Sequence, residues 1–244
     1  MVDEVREYST IAEPSELVIP RGGDVPYHMR FTRDPQLISR FWKLRDKLYR
    51  SDPRFEGFRF FSYDEAENYL DPDDQMLIIH DEHRCYGGAC LRISTPRKPI
   101  MLDMEKDIST GTGQWYFSLQ EQLPDMQLDK YAYAEFNRIV VEPALRTGSL
   151  TKKIFEAIRD RCLEYRVRYI FGSSDLVRAR YYKRLYMQLG LAGGVLENID
   201  IPMHKDYEGH KMYLFYGDTK PFYTVDADPE AKRLLQPADS FEFY

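Results

Sequence analysis

Tyr133-Ala-Glu-Phe-Asn-Arg-Ile-Val-Val-Glu-Pro143, followed directly by Ala144-Leu-Arg-Thr-Gly-Ser-Leu-Thr-Lys-Lys153, is the stretch on which the fold turns. Tyr131 to Val141 alternates and then becomes continuously apolar, which predicts a strand ending at Glu142-Pro143. From Leu150 to Tyr165 apolar side chains fall at 150, 154, 155, 158 and 162, the spacing of an amphipathic helix. Between strand and helix lies a loop carrying Arg146, Gly148, Ser149 and Thr151. The unpaired amides of a helix N-terminus, a permissive glycine and flanking cations make an anion site suited to phosphate. The same residues also suit an ordinary turn in which Ser149 or Thr151 caps the helix. The loop lacks the Gly-Lys-Ser/Thr end of a Walker motif, and its single glycine makes no dinucleotide fingerprint.

Working outward, Tyr169 to Gly172 predicts a short buried strand, and Leu176 to Leu189 a second helix stopped by Gly190. Leu196 to Ile201 and Lys211 to Tyr216 are expected to be closing strands. Upstream, Leu37, Phe41, Trp42, Leu44, Leu48 and Tyr49 recur at helical spacing behind the start signal Asp34-Pro35. Ser51 to Ser62 is an aromatic loop and Tyr63 to Tyr69 a helical turn. Met76 to His80 and Cys85 to Ile93 flank a turn and form a hairpin, and a helical patch follows at Tyr116 to Leu123. Helix, antiparallel meander, then strand–helix–strand–helix–strand is a mixed α/β layer pattern. Residues 1–30, rich in Glu, Pro and Gly, are expected to be an N-terminal arm, 31–217 one domain, and 218–244 a C-terminal tail.

With 43% hydrophobic residues the 244-residue chain has material for a core. A net charge of −6 argues against a general nucleic-acid binder. No apolar run approaches the ~18 residues of a membrane span, and the first residues lack a signal-peptide core, so no membrane anchor is expected. Three cysteines suit a reducing, cytoplasmic setting better than a disulfide framework. The charge is segregated. From Arg146 to Arg184 there are eleven Lys/Arg and four Asp/Glu, a local +7. Such a block reads either as a face for an anionic partner or as two helices with basic solvent faces. His80-Asp-Glu-His83-Arg-Cys85, with Cys90 nearby, flanks a turn and fits no metal-ligand spacing, so no metal is expected. The 19 Tyr and 14 Phe suit core packing better than stacking on nucleic-acid bases.

The order of strand, Arg-bearing loop, helix, strand and helix ending Leu185-Tyr-Met-Gln-Leu-Gly-Leu191 resembles the GNAT acyltransferase superfamily. Within it the chain is similar to acyl-homoserine-lactone synthases (autoinducer synthases) and long-chain N-acyl amino acid synthases. Lys43-Leu-Arg45 with Tyr49, Gly57 to Tyr63-Asp64, Arg92-Ile93 with Pro99 and Met101-Leu102, and Glu135-Phe-Asn-Arg138 match those families' elements in order over about 110 positions. The resemblance implies a GNAT-like α/β fold: a mixed, mostly antiparallel central sheet, helices on both faces, and strands splayed at the acyl-donor site. It implies an N-acyltransferase that moves a fatty acyl group from acyl carrier protein or acyl-CoA to the amine of an amino-acid-like acceptor. The alternatives are an acetyl-CoA-dependent small-molecule N-acetyltransferase and an inactive GNAT-like binding module. No permanently bound cofactor is expected; S-adenosylmethionine enters as a co-substrate through the lactone synthases alone. Those enzymes carry acidic residues before Tyr63-Asp64, whereas this chain has Arg59 and Phe61 there, which fits an acceptor with a free carboxylate better than a sulfonium.

An amine attacks a thioester only when neutral, so a carboxylate or its bound water must take a proton. Glu135 is the expected base, its competing reading being an ion pair with Arg138. Residues three apart on a regular strand face opposite ways, so that pair would need a bulge. Val140 and Val141 N–H groups are the expected oxyanion donors. By resemblance, Tyr186, four residues before Gly190, would protonate the leaving thiolate. Arg45, Asp64, Arg92 and Arg138 would close the acceptor side, and Arg146, Gly148, Ser149 and Thr151 would cradle the pantetheine arm. Lys152, Lys153 and Arg159 would dock an acidic carrier protein.

Overall fold

The computed structural model describes residues 17–19, 27–51, 73–105, 117–146, 148–199, 201 and 211–223. The strands among them are β1 (Leu17–Ile19), β2 (Tyr27–Thr32), β3 (Gln75–His80), β4 (Cys85–Ser94), β5 (Tyr133–Val141), β6 (Tyr169–Ser174), β7 (Ala192–Leu196) and β8 (Tyr213–Asp218). They form one sheet in the order β1-β2-β3-β4-β5-β6-β8-β7. Every neighbouring pair is antiparallel except β5 and β6. The helices are α1 (Pro35–Arg50), α2 (Leu119–Gln122), α3 (Gly148–Glu164) and α4 (Leu176–Gln188). This is the expected mixed, mostly antiparallel sheet with helices on both faces.

Asp34 starts α1 as read from the sequence: its side chain accepts from Gln36 N–H at 2.8 Å, and Pro35 takes the first position, where no amide is required. Leu37, Phe41 and Trp42 then pack with Met76, Ile78, Cys90 and Val140 on one face of the sheet. The opposite face, bearing Leu77, Ile79, Ala89, Leu91, Ala134, Phe136 and Phe215, is covered by Leu150, Ile154, Phe155 and Ile158 of α3 and by Ala179, Leu185 and Tyr186 of α4. A second cluster fills the α1 side farther along, where Tyr133, Tyr169, Phe171 and Leu214 meet Leu102, Met104, Leu119 and Leu128.

Three sequence expectations shift. The sheet begins inside the presumed arm, because Leu17–Ile19 pairs with β2, and β2 starts at Tyr27. Tyr27 and Met29 alternate with His28 and Arg30, the pattern of a half-buried strand, which the surrounding Pro and Gly disguised. The closing strand lies at Ala192–Leu196 rather than 196–201. Its glycines look like a turn, yet a Cβ at Gly193 would stand 2.4 Å from Tyr216 O, so the close approach of β8 requires one. The presumed tail also packs back: Thr219 Oγ1 donates to Val167 O at 2.7 Å and Tyr223 is buried. The expected loop from 52 and the turn at 63–69 lie outside the described residues.

Candidate active site

β5 and β6 run parallel and are paired at Tyr133–Tyr169, Ala134–Ile170 and Glu135–Phe171. Both strands continue, β5 to Val141 and β6 to Ser174, without further pairing. The sheet therefore forks at Glu135. Gly172, the first β6 residue past the last pair, carries the Phe215 ring where its own Cβ would sit, 2.4 Å from the ring edge.

On its other side β5 is irregular. Cys90 faces Asn137 and Gly88 faces Val140, so Ala89 is opposed by both Arg138 and Ile139. Arg138 has φ +54°, a left-handed conformation that a non-glycine residue adopts only where its surroundings hold it there. The extra residue turns the Arg138 side chain to the face that already carries Glu135 and Asn137. The bulge required for Glu135 and Arg138 to share a face is thus present.

Around it stands a buried charge network. Arg92, opposite Glu135 on β4, reaches Asp74 with Nε at 2.7 Å and Asp103 with Nη1 at 2.9 Å, and donates to Met101 O at 3.1 Å. Arg138 reaches Asp74 at 3.3 Å and also pairs with Asp103. Asn137 Nδ2 donates to Asp103 at 2.9 Å. Two arginines and two aspartates balance one another, which leaves the Glu135 carboxyl in excess. Glu135 is 2% exposed and accepts from Asp103 N–H and from Met104 N–H (3.3 Å). Burial first, and the neighbouring Asp103 second, push its pKa up to about 7, against lowering by Asn137, Arg138 and Met104 N–H.

The sequence missed Asp74 and Asp103, although Asp103 directly follows the Met101-Leu102 pair it singled out. The guanidinium carbons of Arg45 and Arg138 stand 5.3 and 5.6 Å from the Trp42 ring centre, and Arg45 also lies 4.6 Å from that of Tyr49. Three of the four expected acceptor-side residues are therefore assembled around Trp42 and Glu135. Arg92 is wholly enclosed and holds Asp74 and Asp103 in place; Asp64 lies outside the described residues.

On the donor side, Glu142 N–H donates to Tyr86 O at 2.8 Å, so ladder alternation turns Val140 N–H towards β4 and Val141 N–H away from it, into the fork. Of the two expected backbone donors, Val141 has the required direction and Val140 does not. Arg146 is exposed, and its Nε binds Val141 O at 2.9 Å, tying the loop to the open end of the fork. Gly148, Ser149, Thr151, Lys152 and Lys153 follow in the first turns of α3, which carry no acidic residue in the first turn.

Two expected residues are placed elsewhere. Tyr186 is fully buried between Phe155 and Phe215, at 5.0 and 6.1 Å between ring centres. Arg159 is turned to Asp160, Phe222 and Leu189 O, at the C-terminal end of α4. The +7 block is likewise not one surface, since Arg161 bonds Gln75, Arg168 pairs with Asp218, and Arg180 with Glu197. At the hairpin, Asp81 accepts from His83 N–H, Arg84 N–H and the Tyr86 hydroxyl. Among the described residues no group of three His, Cys, Asp or Glu is placed to hold a metal, and no helix is long and apolar enough to cross a membrane.

A parallel pair that opens into a fork within an otherwise antiparallel sheet, with helices on both faces, is a GNAT-like fold. Comparison with solved structures agrees. The chain is similar to FeeM, an N-acyl amino acid synthase from uncultured soil microbes, at TM-score 0.51 and 13% identity, over 80% of this chain and 90% of that one. It is also similar to BjaI, a CoA-dependent acyl-homoserine lactone synthase with SAM and isopentyl-CoA, at TM-score 0.50 and 16% identity, over 84% and 85%. At these identities the likeness is one of fold. No family model and no curated protein sequence matches the chain.

Proposed function

We propose that this protein is an N-acyltransferase that moves a fatty acyl group from a phosphopantetheine thioester, on acyl carrier protein or coenzyme A, to the amine of an amino-acid-like acceptor. The observation that carries the reading is the coincidence of Glu135 with the point where β5 and β6 part. A thioester lying in the fork meets Val141 N–H, a donor for the developing oxyanion. The amine arrives from the α1 side, where Glu135 takes its proton directly or through a water. A carboxyl held up at about 7 is matched to that task, because it is partly ionised at neutral pH and basic enough to accept. Arg45, on the same side, suits an acceptor that keeps its carboxylate, while Arg138 is engaged by Asp74 and Asp103. The fold neighbour described as an N-acyl amino acid synthase supports this choice of acceptor.

The test is a panel of amino acids and S-adenosylmethionine, each offered acyl carrier protein and CoA thioesters of several chain lengths, with products read by mass spectrometry. N-acyl amino acids are the expected products. Acetyl transfer alone would replace the reading with small-molecule acetylation. No product from any pair would overturn it in favour of a binding module.

A further inference from the structure

His28 and Arg30 of β2 alternate with Tyr27 and Met29, which join the core that α3 and α4 cover. The two basic side chains therefore stand on the α1 face of the sheet. His28 lies opposite His80 of β3, and the two imidazoles stack with ring centres 5.6 Å apart. α1 begins over this edge, where Arg40 Nη1 donates to Glu82 O at 3.1 Å, just past the end of β3. Between β2, the β3–β4 turn and the first turns of α1 lies a cleft of about 240 Å³. That is the share of about eight waters in the liquid. β4, with Phe41 against it at Gly88, separates the cleft from Glu135.

The lining is sorted by charge. On the sheet side it is basic: His28 and His80 stand there with Arg30, whose Nε is buried and has no hydrogen-bond partner among the described residues. On the outer side it is mixed, with Glu82 exposed and Asp34 half-buried beside Arg40. Asp81 adds little to the outer side, because its carboxylate already accepts from His83 N–H, Arg84 N–H and the Tyr86 hydroxyl.

We propose that this cleft binds a free amino acid as its zwitterion, with the carboxylate against Arg30 and the His28–His80 pair and the ammonium towards Glu82 and Asp34. A plain anion gains nothing from the outer acids, and a plain cation is repelled by Arg30 within. A molecule carrying both charges a few ångströms apart is matched on both sides. His80 Nδ1 lies 3.1 Å from Asp81 O, which can only accept, so Nδ1 carries a hydrogen and Nε2 carries one only in the imidazolium. A bound carboxylate stabilises that protonated form, so affinity rises as pH falls through ~6.5. The other charged groups facing the pair are Arg30, Arg40, Asp34, Asp81 and Glu82. Neither carboxylates nor guanidiniums, as classes, titrate near neutrality, and the amino acid stays a zwitterion throughout. Binding here requires no acyl transfer, so it stands or falls apart from the function proposed above.

The experiment titrates the full chain by calorimetry with L-alanine, with propionate, which lacks the ammonium, and with ethylamine, which lacks the carboxylate. L-alanine is expected to bind, and each half-molecule to bind about tenfold more weakly or worse. R30Q is expected to lose about 10–100-fold for L-alanine, the fold-change of one charge-assisted hydrogen bond. E82Q is expected to weaken L-alanine but not propionate. R45A, which alters the acceptor side instead, is expected to leave this binding in place. No saturable binding, propionate bound as tightly as L-alanine, undiminished binding in R30Q, or loss in R45A alone overturns the assignment. If R30Q does not fold, imidazole C2–H resonances of the wild type read the same site. Of the five histidines, His28 and His80 are expected to shift with L-alanine and to titrate at higher pH in its presence. Resonances of that pair left unmoved overturn the assignment.

Discussion

On one face of β5, Glu135 and Asn137 stand among two arginines and two aspartates; on the other, Ala134 and Phe136 meet only apolar side chains and rings. The strand is the same, and Glu135 is buried as deeply as Ala134 and Phe136. The first face holds its polar groups by pairing each with several partners, and the second admits almost none: Phe136 meets Phe155 edge to face, and Tyr182, Tyr186 and Phe215 pack around them at tilted angles. Buried ionisable groups stay at fixed places only where each has partners, and the first face supplies them. The second supplies a rigid floor along the fork.

The largest expected effect separates two readings of Glu135. Its carboxylate both caps the turn at Asp103 and Met104 and stands at the fork. Glutamine keeps an oxygen to accept those amides but cannot take a proton. E135Q is therefore expected to fold and to lose ~10²–10⁴-fold in turnover; an unchanged rate would leave Glu135 with the structural role alone. The pH dependence adds a sign. With a folded pKa of about 7 against 4.5 ordinarily, the folded protein keeps a proton that the unfolded chain releases. Glu135 thus makes stability fall as pH rises between those values, while turnover rises through about 7. The difference between wild type and E135Q, in urea melts and rate profiles over the same pH range, isolates both trends.

Next in size is the network itself. R92A would leave Asp74 and Asp103 buried with Arg138 as their shared remaining cation. Removing one member of a buried, hydrogen-bonded charge group costs about 3–5 kcal/mol, read as a lower denaturation midpoint. R92K is expected to recover only part of this, because one ammonium cannot span both aspartates and Met101 O in the guanidinium's plane. A midpoint unchanged in R92A would show that the polar face contributes no more to stability than an exposed ion pair.

The two faces also differ in how far the sequence disclosed them. The periodicity of α1, α3 and α4 and the hairpin of β3 and β4 follow from local pattern, and the structure repeats them within a few residues. Glu135, Arg138, Arg92 and Arg45 were found because they stand in short motifs. Asp74 and Asp103 were not: one ends the acidic run Asp71-Pro-Asp-Asp74 and the other precedes Met104-Glu105, and only the approach of two strands and a turn singles each out by giving it a partner. The bulge was named only as a condition, since nothing in Asn137-Arg-Ile-Val140 announces a left-handed residue. For Tyr186 the sequence offered only its spacing to Gly190; the structure buries its ring between Phe155 and Phe215, a position that spacing could not give because it carries no register between helix and sheet.

The smallest effect tests the aromatic face by the same kind of edit that damages the polar one. Y186F deletes one buried polar atom, as R92A deletes several. The Tyr186 hydroxyl has no partner among the described residues, and burial drives its pKa well upward, so the oxygen gave up its hydration on folding without regaining a bond. Deleting it is expected to leave stability unchanged or to raise it by up to about 1 kcal/mol, read in the same denaturant melts. A clear loss would mean that the hydroxyl is satisfied by a group beyond the described residues, and that the ring-filled face, too, contains a polar contact required for the fold.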